Sequence, residues 1–166
     1  MPMTPEENDL LTRVDGQAPM GRMIRQHFWM PVVPSVKLEA GGQPFRVRLL
    51  GVDYVVFRSP DGVVGLVDEA CPHRRASLAL ARNEIGGLRC IYHGWKVAST
   101  GAVIEAPNHT GDQVQFCRHV RTRRYQAVDR GGIVWAWLGE GDQVPRFPDL
   151  PFVDLPEAQR SVTSVQ

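Results

Sequence analysis

Two short segments, each with one cysteine and one histidine, constrain this chain more than any other feature. The first is Cys71-Pro72-His73-Arg74 and the second is Cys90-Ile91-Tyr92-His93-Gly94-Trp95, with sixteen residues between His73 and Cys90. Residues two apart in an extended segment point to the same side, so Cys71 and His73 can reach one point in space. If both loops fold over one centre, two thiols and two imidazoles face it.

Two thiolates and two imidazoles are the ligand set of a Rieske [2Fe-2S] cluster, in which the cysteines hold one iron and the histidines the other. The pattern therefore predicts Cys71, His73, Cys90 and His93 as the metal and cofactor ligands. Two neutral imidazoles in place of two thiolates make such a cluster easier to reduce, so the predicted chemistry is one-electron transfer.

Four further residues are candidates for contacts around the cluster: Ser77, Tyr92, Gly94 and Trp95. Ser77 and Tyr92 supply hydroxyl donors, Gly94 lets the backbone approach closely, and Trp95 covers the cluster against water. The alternatives are structural. Ser77 would cap a local turn, and Tyr92 and Trp95 would be core aromatic residues.

A tetrahedral zinc ion also accepts two cysteines and two histidines, which leaves a structural zinc module as an alternative. Zinc-finger spacings usually pair Cys with Cys and His with His, unlike the order in this chain. A total of three cysteines favours reduced thiols over a disulfide scaffold. Cys117 lies in an alternating segment and is expected to be a half-buried hydrophobic residue of a strand. The other histidines have no ligand set nearby: His27, His109 and His119.

Length and charge narrow the class of protein. The 166 residues fit one domain of ordinary size. With 19 basic and 18 acidic residues the formal net charge is +1, so no bulk charge attracts nucleic acid or an anionic membrane. No apolar stretch approaches the length of a membrane span, and the first residues lack the profile of a signal peptide. A cytoplasmic protein with neither nucleic-acid nor membrane partners is predicted.

The N-terminal residues predict two helices. Thr4-Pro5-Glu6-Glu7 combines an N-cap threonine, a proline at the first helical position and a glutamate three residues after the cap. A second helix is expected over 19–29, where apolar residues recur at helical spacing before Pro31 and Pro34 end it. Residues 1–41 are therefore predicted to form a helical arm.

From Phe45 onward the pattern predicts short strands separated by turns. These strands are expected over 45–50, 54–58, 63–67, 88–91, 94–97, 103–105, 115–128 and 133–138. Such a series predicts a mainly β fold, a small antiparallel sandwich or barrel-like domain. Because the two Cys-His motifs fall within it, residues 42–140 are the predicted Rieske [2Fe-2S] domain. Repeated prolines then predict an extended connector over 141–166.

The two motifs and their flanks closely resemble the Rieske domain of ring-hydroxylating (Rieske non-haem iron) oxygenase α subunits. Around the motifs, four segments look like the branch of the phthalate 4,5-dioxygenase oxygenase component, and the resemblance extends over about residues 9–150. These segments are Leu10-Leu11-Thr12-Arg13-Val14, Ala18-Pro19-Met20-Gly21, Arg46-Val47-Arg48-Leu49-Leu50-Gly51 and Gly132-Ile133-Val134-Trp135-Ala136-Trp137-Leu138-Gly139.

The resemblance implies that Cys71, His73, Cys90 and His93 ligate the cluster, which relays electrons during aromatic ring hydroxylation. It implies an NAD(P)H-dependent reductase as electron donor, a mononuclear-iron catalytic domain as acceptor and a homotrimer in the complete protein. Respiratory-complex Rieske proteins carry an extra cysteine in each ligand loop. No such cysteine occurs over 74–89 or between Cys90 and His93, so that branch is set aside.

The chain departs from the family pattern in two respects. Arg75 stands where many relatives carry glycine, which changes the surface beside His73. Outside the two motifs, no closely spaced histidine pair is available for a non-haem iron site of two histidines and a carboxylate. We therefore expect an oxidoreductase module with no catalytic residue and no hydroxylase activity of its own. A free-standing Rieske ferredoxin is the alternative, although such electron carriers resemble only the β portion and do not need the flanking segments.

Overall fold

The computed structural model describes residues 2–163, and within that range the chain forms three α-helices and ten strands. In chain order these are α1 (Pro5–Thr12), α2 (Pro19–His27), β1 (Trp29–Pro34), β2 (Phe45–Leu49), β3 (Val52–Arg58), β4 (Val64–Asp68), β5 (Arg82–Glu84), β6 (Gly87–Arg89), β7 (Lys96–Val97), β8 (Val103–Glu105), α3 (Gln113–His119), β9 (Arg124–Arg130) and β10 (Ile133–Trp137). The mainly β fold agrees with the prediction.

Six strands form the larger sheet in the order β1-β10-β9-β4-β3-β2, with antiparallel pairing throughout. Successive side chains of a strand point to opposite faces, and β3 shows this directly. Val55 and Phe57 belong to one buried cluster, whereas Tyr54 and Val56 belong to another. The larger sheet is therefore covered on both faces.

The remaining four strands form a small antiparallel sheet in the order β5-β6-β7-β8. Leu88 of β6 and Val97 of β7 are fully buried and belong to the same cluster as Val55 and Phe57 of the larger sheet. The first core therefore lies between the two sheets. Because β6 ends at Arg89 and β7 begins at Lys96, the second Cys-His segment is the loop of a hairpin.

Helix α3 corrects the expected strand over 115–128. The Asp112 side chain accepts a hydrogen bond from the Gln115 N–H at 3.0 Å, and such a cap satisfies an unpaired donor of the first helical turn. Arg118 lies in the last turn, where a positive charge interacts favourably with the helix dipole. Only from Arg124 does the chain form β9. Cys117 lies in this helix and is buried, whereas a half-buried position in a strand was expected.

The predicted helical arm also contains a strand. The capping box of Thr4 and Glu7 is formed as predicted, but the second helix ends at His27 instead of continuing to residue 29. Residues Trp29–Pro34 form β1 and pair with β10. Because β1 lies at the edge of the sheet, it tolerates prolines, which cannot donate to a neighbouring strand.

The start of the proline-rich segment lies against the larger sheet. Trp29 Nε1 donates to the Pro145 carbonyl at 2.9 Å, and the Phe147 ring lies 5.7 Å from the Trp29 ring and 5.4 Å from the Trp135 ring, measured between centroids. These contacts order the segment after the last strand. The part of the predicted connector over 164–166 lies outside the described residues. Between residues 2 and 163, none of the helices has the length and apolar character that crossing a membrane requires.

Candidate metal centre

The first Cys-His loop follows β4 and is closed by two backbone hydrogen bonds. The Cys71 N–H donates to the Ala76 carbonyl at 2.9 Å, and the Arg75 N–H donates to the Cys71 carbonyl at 2.8 Å. Arg75 closes this turn with a φ of 58°, in the left-handed region that costs a non-glycine residue about 1–2 kcal/mol. The turn geometry explains why a glycine suits this position.

The second loop repeats that geometry between β6 and β7. The Cys90 N–H donates to the Trp95 carbonyl at 2.8 Å, and the Gly94 N–H donates to the Cys90 carbonyl at 3.0 Å. Gly94 occupies the place of Arg75 and has a φ of 74°. A Cβ atom there would also lie 3.1 Å from Cγ of Pro107. Each loop thus turns sharply, with its cysteine at the start.

The two cysteines lie together in the core between the sheets. Cys71 and Cys90 are each 2% exposed, and their thiols are within hydrogen-bonding reach of each other. Burial, reinforced by the nearby Cys90 thiol and opposed by the His73 and Arg74 N–H groups, raises the pKa of the Cys71 thiol to about 11. Such thiols ionise when a metal ion displaces their protons.

The two histidines form a second pair, with ring centroids 4.5 Å apart and ring planes at 71°. Burial, together with His93 and Arg74, lowers the pKa of His73, which favours the neutral imidazole that binds metals. His73 Nδ1 is buried and has no hydrogen-bond partner within residues 2–163. Because a buried nitrogen without a partner is costly, this atom fits a metal ligand.

Trp95 covers His73 from the core side. Its ring stacks on His73 with centroids 4.5 Å apart and planes at 6°, and it makes a T-shaped contact with the Phe116 ring of α3, with centroids 5.5 Å apart. The indole Nε1 donates to Asn108 Oδ1 at 2.5 Å. At 6% exposure Trp95 is both a core aromatic residue and a wall of the site.

The two hydroxyl candidates lie in different environments. Tyr92 is 59% exposed, and its ring packs on His93 with centroids 3.9 Å apart, so it is not a core aromatic residue. The Ser77 hydroxyl accepts a hydrogen bond from the Ala79 N–H at 3.3 Å and caps the short 3-10 turn at Leu78–Leu80. Ser77 therefore fills the structural role considered above.

Two contacts of the site are not evident from the motifs. Asn108, which fixes the Trp95 indole, lies thirteen residues beyond it in the chain, and no local pattern singles it out. Arg89 directly precedes Cys90, and its Nη1 donates to the Gly94 carbonyl at 2.9 Å. The sequence points to Arg89 only through its position beside a ligand motif.

The thiol pair and the imidazole pair suit two metal ions. A [2Fe-2S] cluster of this type takes two protein ligands at each iron, whereas a tetrahedral zinc ion takes four at one centre. Throughout residues 2–163, no three or more His, Cys, Asp or Glu side chains are grouped so as to hold a single metal ion. Of the remaining histidines, His109 stacks on Phe116 with centroids 4.1 Å apart.

Curated relatives with similar sequences are oxygenase subunits. The chain is 49% identical over 146 residues to a phthalate 4,5-dioxygenase oxygenase subunit of Pseudomonas putida, covering 87% of this chain and 33% of the relative. It is 41% identical over 161 residues to a 3-chlorobenzoate-3,4-dioxygenase oxygenase subunit of Comamonas testosteroni, covering 97% of this chain and 37% of the relative. The chain thus spans about a third of the length of these relatives.

Solved structures agree with the sequence relatives. One is the reduced complex between oxygenase and ferredoxin in carbazole 1,9a-dioxygenase, with a TM-score of 0.66 and 26% identity over 89% of this chain and 38% of that chain. The resemblance to oxygenase subunits is therefore confirmed. A family model described as the Rieske [2Fe-2S] domain matches residues 28–125. With more than half of its length matched, the chain belongs to the Rieske [2Fe-2S] domain family, whose cofactor is a Rieske-type [2Fe-2S] cluster.

Proposed function

We propose that this chain is the one-electron relay of an aromatic-ring-hydroxylating oxygenase, with Cys71 and Cys90 on one iron of the cluster and His73 and His93 on the other. The observation that carries the proposal is the convergence of two equivalent loops, which place a buried thiol pair beside an imidazole pair with a 4.5 Å separation of the ring centroids. When bound, the cluster supplies a centre that takes up and releases one electron.

The residues of the site prepare it for that role. Burial keeps the Cys71 thiol protonated in the free chain, so metal loading releases protons and depends on pH. The low pKa of His73 keeps its imidazole neutral and ready to bind. Trp95 and Phe116 exclude water from the core side. Tyr92 packs on His93 and is 59% exposed, so the outer side of the site presents an aromatic surface to a partner.

The proposed partners are those that the family resemblance implies. An NAD(P)H-dependent reductase is the electron donor, a mononuclear-iron catalytic domain is the acceptor, and the complete protein is a cytoplasmic homotrimer. The proposed division is an arm (1–41), whose strand β1 joins the larger sheet, a Rieske domain (42–140) and a connector (141–166) toward the catalytic domain. The similarity to an oxygenase subunit over 161 residues covers 97% of this chain and therefore includes most of the arm. This extent supports a relay module over a free-standing ferredoxin.

The proposal is tested by reducing the iron-loaded chain with NADH and a reductase of a phthalate dioxygenase system in a stopped-flow spectrophotometer. We expect the visible absorption of the oxidised cluster to bleach with uptake of one electron per chain. The reductase without the chain is the control. A chain that carries an iron-sulfur chromophore but stays oxidised under these conditions would rule out the relay function.

A further inference from the structure

One face of the small sheet carries a layer of charged side chains, to which every strand contributes. Glu84 lies on β5, Arg89 on β6, Lys96 on β7 and Glu105 on β8. Arg89 Nε donates to Glu84 Oε2 at 2.8 Å, and its Nη2 donates to Glu105 Oε2 at 2.8 Å. Lys96 Nζ lies 3.7 Å from Glu84 Oε2 and 3.6 Å from Glu105 Oε1. The Arg89 guanidinium is thus held between two carboxylates.

The third side of that guanidinium reaches the second Cys-His loop. Arg89 Nη1 donates to the Gly94 carbonyl at 2.9 Å, and Gly94 directly follows His93. The Arg89 side chain is only 18% exposed, so water competes weakly for these bonds. A guanidinium is planar and holds its five donors in a fixed fork, whereas a lysine ammonium is a single point of charge. Arginine can therefore serve three acceptors in one plane.

We propose that Arg89 is a positioning residue for His93: Glu84 and Glu105 fix its guanidinium, which in turn fixes the Gly94 carbonyl and the direction of the neighbouring imidazole. This inference rests on the proposed function, since it takes His93 as a ligand of the cluster. The Gly94 N–H is already bound to the Cys90 carbonyl at 3.0 Å. Because both the N–H and the carbonyl of Gly94 are hydrogen-bonded, the backbone next to His93 has little freedom to rotate.

The variant that tests this role is Arg89→Lys, because it keeps the charge and removes the planar fork. Arg82→Lys is the matched control. Arg82 pairs with Arg89 across the strands and lies 3.3 Å from Glu84, but its side chain is 69% exposed. The measurements are the EPR spectrum of the reduced cluster, its reduction potential, and the rate of iron release to a chelator.

We expect Arg89→Lys to assemble a cluster with shifted EPR features and a shifted reduction potential, and to release iron about tenfold faster, as loss of one charge-assisted hydrogen bond would give. Arg82→Lys should match the unmodified chain in all three. Equal behaviour of the two variants would overturn the role of Arg89 while leaving the proposed function intact. An unmodified chain without any iron-sulfur spectrum would instead overturn the proposed function.

If Arg89→Lys does not fold, Glu105→Gln decides the matter. This variant weakens one of the two anchors of the guanidinium and leaves Arg89 itself in place. We expect the same spectral shift with smaller amplitude, and iron release between the rates of the unmodified chain and tenfold faster. A spectrum and release rate identical to those of the unmodified chain would contradict the proposal.

Discussion

The contact between Trp95 and Asn108 allows a quantitative prediction. Trp95→Phe removes the indole donor of the 2.5 Å hydrogen bond but keeps an aromatic face toward His73. Loss of the bond should cost about 1 kcal/mol. The smaller ring buries roughly 40 Å² less apolar surface, which adds about 1 kcal/mol. We therefore expect the free energy of unfolding to fall by about 2 kcal/mol.

A double-mutant cycle separates the hydrogen bond from the packing. The melting temperatures of the iron-loaded chain, Trp95→Phe, Asn108→Ala and the double variant are compared by circular dichroism. A loss of 2 kcal/mol corresponds to a decrease of roughly 4–8 °C in a chain of this size. The two substitutions should couple by about 1 kcal/mol, because each removes the same bond. Strictly additive effects, or a Trp95→Phe variant as stable as the unmodified chain, would refute this reasoning.

Three further predictions concern the loops and the charged layer. Cys90→Ser should abolish the visible chromophore, whereas Cys117→Ser, at a buried cysteine outside the two loops, should keep it. A Cys90→Ser variant that retains the chromophore would show that Cys90 is not a ligand. Gly94→Ala should lower the free energy of unfolding by about 1–2 kcal/mol, because its φ is 74°; an unchanged urea midpoint would contradict this. Hydrogen bonding to Arg89, with the charges of Arg89 and Lys96, lowers the pKa of Glu105 below 4.5. The stabilising contribution of the Glu105 carboxylate should therefore be present above about pH 4.5 and lost as the pH falls below that value. The difference in the free energy of unfolding between the unmodified chain and Glu105→Gln should then shrink in acid, and a constant difference would count against the ion pair.

Much of the β fold could be predicted because its strands carry strong local signals. Alternating apolar residues and glycine-containing turns place β2, β3, β4 and β10 close to their observed bounds. Helix α3 was missed because its short segment was interpreted as an alternating strand, although Phe116, Cys117 and Val120 pack in the first core at helical spacing. The Asp112 cap is the sequence signal that distinguishes the helix from a strand. Strand β1 was missed because its prolines end a helix, while its pairing with β10 is a contact between distant segments.

The site was predictable to the extent that chemistry is local in sequence. The two motifs identify the thiols and imidazoles of the site, and the structure brings both pairs together. The contacts that support them are not local, because the Trp95 indole finds Asn108 thirteen residues away. Arg89 faces Glu105 only because four short strands align. The left-handed turn at Arg75 also requires the loop geometry to be known.

Pulsed EPR of the reduced, iron-loaded chain with ¹⁵N-labelled histidine tests the central assignment most directly. The account predicts one reduced [2Fe-2S] centre per chain that is coupled to two imidazole nitrogens, with one coupling lost in His73→Cys and the other in His93→Cys. No reduced-state signal, or a signal without imidazole coupling, would contradict the assignment of these loops as the cluster site.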